Sequence, residues 1–170
     1  MVRLETILNS WKTIREDTAL AVEEFPGTEA DFKPTPDLDS FRTIARHILD
    51  SSNALTSVLL EGVDNFTTPQ FRELAKRHFS QLPQEADLAT LAVELRSSME
   101  LHAAQLGVQP AEFYAAEITR FDGLRVTRLE MLQFVKEHEL THRAQLFMYL
   151  RLKGIVPATT RRRLAKAKAQ

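Results

Sequence analysis

Four stretches of this chain set apolar residues at three- and four-residue steps, with almost no glycine or proline inside them. Leu4, Ile7, Leu8, Trp11 and Ile14 mark the first, and Phe41, Ile44, Ile48, Leu55 and Leu59 the second. Leu88, Leu91, Ala92, Leu95, Met99 and Leu106 mark the third, and a fourth runs from Met131 to Leu152. Such a period lays each set along one face of a helix. With 5 Gly and 7 Pro in 170 residues, chain-breakers fall well below the ordinary share of roughly 12%. The pattern predicts an all-α fold, a four-helix bundle with two longer connections.

The punctuation between these stretches is specific. The first helix is expected from about Val2 to Glu24, ahead of Phe25-Pro26-Gly27. The segment Pro26–Asp39, with Pro34 and Pro36, reads as an ordered connection without a regular element. Asp39 or Ser40 can cap the second helix, which ends near Gly62. Thr68-Pro69 opens a short additional helix to about Phe79. Gly107 can end the third long helix. Asp122-Gly123, between Ile118 and Val126, suits the turn of a small hairpin. Thr127 and Glu130 then form a capping-box signature for a last helix to about Lys153, with Gly154 and Pro157 beyond it.

Composition narrows the classes of function. Zero cysteines exclude thiol nucleophiles, disulfides and iron–sulfur clusters, and fit a reducing, cytoplasmic setting. No apolar run approaches the ~18–20 residues of a membrane span, and charges interrupt Met1–Thr18, so no signal segment is expected. Residues 1–139 carry 14 Lys/Arg and 23 Asp/Glu, a net of −9, whereas residues 140–170 carry 8 Lys/Arg and no carboxylate. The basic end, with Arg161, Arg162, Arg163, Lys166 and Lys168, lacks interleaved aromatics and reads as a solvated extension rather than a nucleic-acid contact.

The last helix carries the chemistry. Its core-facing stripe traces as Met131, Val135, His138, His142, Gln145, Tyr149 and Leu152, so two imidazoles and an amide stand where the period asks for apolar side chains. Residues four apart share a face, about 5–6 Å between β-carbons, and both imidazoles can reach one metal ion. His138-Glu139-Leu140-Thr141-His142 also matches H-E-x-x-H, the zinc-protease signature in which the glutamate is the general base. A third protein ligand commonly lies downstream in that class. Here no Asp, Glu or His follows His142, and Gln145 and Met148 stand where the extended motif needs glycine and histidine. The protease reading is set aside. A third ligand must come from upstream, where His47, His78 and His102 are the candidates. His78 is expected to face solvent. Spacing leaves His47 and His102 both open, with His47 slightly ahead.

The run Glu137-His138-Glu139-Leu140-Thr141-His142-Arg143-Ala144-Gln145-Leu146, followed by Tyr149-Leu150-Arg151 and Gly154-Ile155-Val156-Pro157, resembles the C-terminal motif of the DinB/YfiT-like family. Arg46-His47-Ile48-Leu49 is similar to that family's first histidine block, and Phe32-Lys33-Pro34 to Ser40 to its proline-containing approach. The resemblance spans residues 1–157, leaving 158–170 as a basic extension. It implies a four-helix bundle of up-down-down-up connectivity, usually a homodimer. It also implies a three-histidine site at His47, His138 and His142 holding one divalent metal, zinc or nickel first, with manganese or iron as further candidates. Glu139 is then explained by the family pattern without a protease.

Relatives of this kind include thiol-dependent transferases and isomerases, which points to a metal-dependent enzyme, of transferase or hydrolase type, acting on a small molecule such as a thiol. The alternative is a metal-stabilised bundle without turnover. Glu139 and Gln145 serve equally well in either case, orienting a ligand or merely supporting the site, so no catalytic side chain is assigned from sequence.

Overall fold

Short polar side chains cap the starts of four helices. In a computed structural model, which describes residues 3–168, α1 spans Leu4–Glu24 and α2 spans Phe41–Leu60. The expected start of α1 at Val2 lies outside the described residues. Ser40 caps α2 by accepting from the Thr43 amide at 3.2 Å, and Thr68 caps the short α3, Pro69–Lys76. Asp87 accepts from the Thr90 amide at the start of α4, Leu88–Gly107. Thr127 and Glu130 form the full capping box of α6, Arg128–Leu152, satisfying amides at both positions. The hairpin pairs β1, Glu117–Thr119, with β2, Arg125–Thr127, in antiparallel register. Gly123 at its turn takes a φ of 83°, which costs glycine little.

Two elements were not legible in the sequence, and a third, the basic end, was open there between a helical extension and a loose tail. A single 3-10 turn, Gly27–Glu29, interrupts the proline-rich connection. A five-residue helix α5, Ala111–Ala115, precedes the hairpin. The basic end forms α7, Ala158–Lys168, whose Arg161 and Arg162 pair with Glu24 and Asp17 of α1. The acidic excess of the preceding chain thus supplies local partners for this cationic segment.

Helix α1 packs against α4 and α6, and α2 packs against the same two. The two helices met first in the chain are therefore diagonal, as only long connections allow. The core divides into two apolar clusters. One gathers the C-terminal halves of α1 and α6 with the N-terminal halves of α2 and α4, around Val22, Phe41, Ile48, Leu91 and Leu146. The other gathers the opposite halves, around Trp11, Leu59, Leu106, Met131 and Val135. Helices α1 and α6 thus run one way and α2 and α4 the other, which gives the up-down-down-up order.

A polar layer separates the clusters. Arg15 and Glu139, each 1% exposed, form an ion pair at 2.9 Å. The Glu139 carboxylate also accepts from Trp11 Nε1 at 2.6 Å and Thr18 Oγ1 at 3.0 Å. Arg15 donates further to Ser52 Oγ, Ser98 Oγ and the Leu95 carbonyl. All four bundle helices meet in this network. Burying two charges is tolerable here because their hydrogen-bonding capacity is used.

The inner face of α6 corrects the expected stripe. Its buried residues are Met131, Leu132, Val135, Glu139, Leu146, Tyr149 and Leu150. His138 and His142 are only half-buried, Gln145 is exposed, and Leu152 is 56% exposed. Glu139, not the histidines, occupies the core, because Arg15 on another helix neutralises it.

Candidate metal centre

One step around α6 from Glu139, His138 and His142 face the groove between α6 and α2. The capping box fixes where α6 begins, and the two imidazoles follow one helical turn apart. His47 meets them from α2. It sits beside Ile44 and Ile48, both buried, so its side chain emerges at the edge of the core. Its neighbour Arg46 donates to the carbonyls of Ser80, Leu82 and Pro83, and Asp50 accepts from the Ser80 amide. These bonds lock the rotation of α2 against the segment that precedes α4.

The three imidazoles converge through one kind of nitrogen. His47 Nε2 and His142 Nε2 each lie 3.2 Å from His138 Nε2, and the donor atoms of all three fall within 4.8 Å of one another. A tetrahedral ion with bonds of about 2.0–2.1 Å holds its donors roughly 3.3–3.4 Å apart. The spacing therefore fits a shared ion. A hydrogen-bonded explanation fits less well, because one His138 nitrogen cannot donate to both neighbours.

The far sides of the rings are also held. Gln145 Oε1 accepts from His142 Nδ1–H at 2.7 Å, which leaves the lone pair on Nε2, facing its partners. Ser51 Oγ lies 3.3 Å from His47 Nδ1. Such outer bonds fix tautomer and ring orientation in metal sites. Burial, then the neighbouring His142 and His47, push His138 down to about 4. Burial and His142 also lower His47, against the opposing pull of Asp39 and Asp50. Both rings are thus neutral at pH 7, the state that binds metal.

The remaining histidines lie elsewhere. His102 is buried on α4, 4% exposed, beside a cleft it shares with His78. His78 is not the solvent-facing residue expected; it is partly buried, its Nε2 2.9 Å from Glu61 Oε1. Glu139 cannot be a general base for this site. Its oxygens are engaged by Trp11, Arg15 and Thr18 in the core, so the H-E-x-x-H match has no protease geometry.

Two flanks border the histidines. On one, Phe134 lies 6.4 Å from the His138 ring and stacks edge-on with Phe121 of the hairpin turn. On the other, a cleft of about 340 Å³ opens between His142 and the segment before α2. Tyr149 Oη donates to the Asp39 carbonyl at 2.8 Å and holds that segment in place. The cleft was missed in the sequence because its walls come from residues some hundred positions apart.

Known proteins share this arrangement of helices. YjoA of Bacillus subtilis, an uncharacterized protein, is 25% identical over 154 residues, 91% of this chain and 93% of YjoA. The crystal structure of YjoA, a DinB-like protein, matches at a TM-score of 0.67 and 27% identity, covering 87% of this chain and 92% of that one. YfiT, also from Bacillus subtilis, is described as a probable metal-dependent hydrolase with an unusual four-helix bundle topology. It matches at a TM-score of 0.70 over 91% of each chain. At 16% identity, that is a likeness of fold. The DinB family model matches residues 1–169, so it takes in the helices and all three converging histidines: the chain belongs to the DinB family.

Proposed function

We propose that this protein is a metal-dependent enzyme of hydrolase or thiol-transferase type, with His47, His138 and His142 holding one divalent ion, zinc or nickel first. The observation that carries the reading is the convergence of three Nε2 atoms at 3.2 Å steps on a groove open to solvent. Structural zinc sites are closed by four protein ligands, whereas catalytic sites present three and leave a position free. Three imidazoles beside a cleft belong to the second kind. The description of YfiT as a probable metal-dependent hydrolase supports the same reading.

A bound ion of this type supplies Lewis acidity, acidifying a water or thiol and polarising a substrate oxygen. The protein's own part is positioning. Gln145 orients His142, Ser51 steadies His47, and the aromatic pair Phe121–Phe134 shields one flank.

Elemental analysis of purified wild type and single alanine variants tests the assignment. One equivalent of divalent metal is expected in wild type, with a 10- to 100-fold or greater loss of affinity, on the order seen for weakened metal sites, in His47→Ala, His138→Ala and His142→Ala. His102→Ala should keep its metal. Full metal content in His47→Ala, or a loss confined to His102→Ala, would overturn the site.

A further inference from the structure

We propose that the cleft beside His142 selects substrates bearing a cationic group, which the Asp37 and Asp39 carboxylates hold while the reacting end lies against the three imidazoles. This rests on the metal-site reading above and adds the substrate class.

The cleft, about 340 Å³, brings Asp37, Leu38 and Asp39 of the segment before α2 together with His142, Gln145 and Met148 of α6. Its volume suits a small molecule. Its charge is of one sign. No lysine or arginine lines it, and among the described residues neither aspartate has a basic partner. Lys33, the nearest lysine in sequence, is exposed and makes no ion pair with either aspartate, and the two nearest arginines are used elsewhere. Arg42 binds Asp31 and the carbonyls of Glu85 and Ala86, and Arg46 binds the carbonyls of Ser80, Leu82 and Pro83.

The two aspartates are held ready in different ways. A hydrogen bond from Thr35 and one from its own amide keep Asp37 below the usual carboxylate range. Asp39 is fixed through its backbone by Tyr149, and its charge is felt at both His47 and Tyr149. The Asp39 charge therefore reaches the three-histidine group as well as the cleft. It is not one of the converging donors, which are the three histidines alone among the described residues. Leu38 is 43% and Met148 61% exposed. Both line the cleft and add apolar surface to it. A molecule that matches has a reactive end, a short apolar stem and a positive group beyond it. An anionic substrate would meet uncompensated repulsion from both carboxylates.

The test uses cobalt-loaded protein and three small thiols of similar length. These are thiocholine, whose quaternary ammonium cannot ligate metal, neutral 2-mercaptoethanol and anionic 2-mercaptoethanesulfonate. Thiolate-to-cobalt charge-transfer absorption reports binding without any need for turnover. The ratio of thiocholine to mercaptoethanesulfonate affinity is compared between wild type and the Asp37→Asn/Asp39→Asn double variant, which cancels intrinsic differences among the thiols.

The ratio should fall about fivefold or more in the double variant at low salt, the order expected of two exposed charge pairs, and the difference should shrink as salt rises. Cobalt uptake and mercaptoethanol affinity should stay as in wild type. An unchanged ratio, with cobalt bound normally, overturns this proposal alone. A double variant that loses cobalt also overturns it, since the aspartates would then serve the ion rather than the substrate. Failure of the wild type to take up cobalt overturns the metal reading, and this proposal with it.

Discussion

Glu139 stands between two histidines that face the groove, yet its carboxylate is buried and accepts from three side chains of α1. One residue is about 100° of helix, enough to send neighbours in a five-residue motif to opposite surroundings. The motif was plain in the sequence, but its meaning was not, because the residue that explains Glu139 is Arg15, 124 positions away. Charges standing at core positions on two separate helices were the available signal. The pairing sets the cost of breaking it. Glu139→Gln leaves the Arg15 guanidinium buried without its counter-charge, and a loss on the order of 3–5 kcal/mol is expected. Replacing both partners with apolar residues, as in Arg15→Met with Glu139→Leu, should recover much of that loss. Urea unfolding of the three variants decides the matter. Wild-type stability in Glu139→Gln would show that the ion pair contributes nothing.

At the scale of elements, caps and breakers were legible because they act locally. Ser40, Thr68 and Thr127 all start helices as their residue types require, and Gly154, with a φ of 74°, follows the end of α6. The facing of a helix is harder to read, since it depends on partners not yet placed. His102 illustrates the point, because period puts it on the inner face of α4 and leaves it eligible as a ligand. In the structure it points into the packed bundle, where burial, then Arg15 and His78, push it down to about 4. An unfolded chain takes up this proton near the ordinary value of about 6.5, and the folded chain only near 4. The unfolded state therefore binds more protons between these values. His102's contribution is fully present above pH 6.5 and is lost as pH falls towards 4, by about 3 kcal/mol at most. In metal-free protein, His102→Gln should weaken the fall in stability between pH 7 and pH 4.5 by about 2 kcal/mol, most of that range. Urea midpoints at the two pH values measure it, and identical falls in variant and wild type would count against a neutral buried imidazole.

Across the whole molecule, each helix could be drawn from its own stripe, but the diagonal placement of α1 and α2 follows from contacts between halves of different helices. The polar layer of Arg15, Ser52, Ser98 and Glu139 joins all four at mid-height, with an apolar cluster on either side. Stability is thus supplied inside the bundle, while the histidines join α2 to α6 only at its surface. Removal of metal should leave the fold intact. An ion that binds only the folded state adds RT ln(1 + [L]/Kd), about 2.7 kcal/mol at a hundredfold excess over Kd. For a chain of this size, that raises Tm by roughly 5–10 °C. Chelation of wild type should lower Tm by this amount with the helical circular dichroism at 20 °C unchanged, and added metal should restore it. His138→Ala should remain helical and lose the response to both chelator and metal. Loss of helical signal on chelation would make the ion a structural staple, and a metal response persisting in His138→Ala would place the ion elsewhere on the molecule.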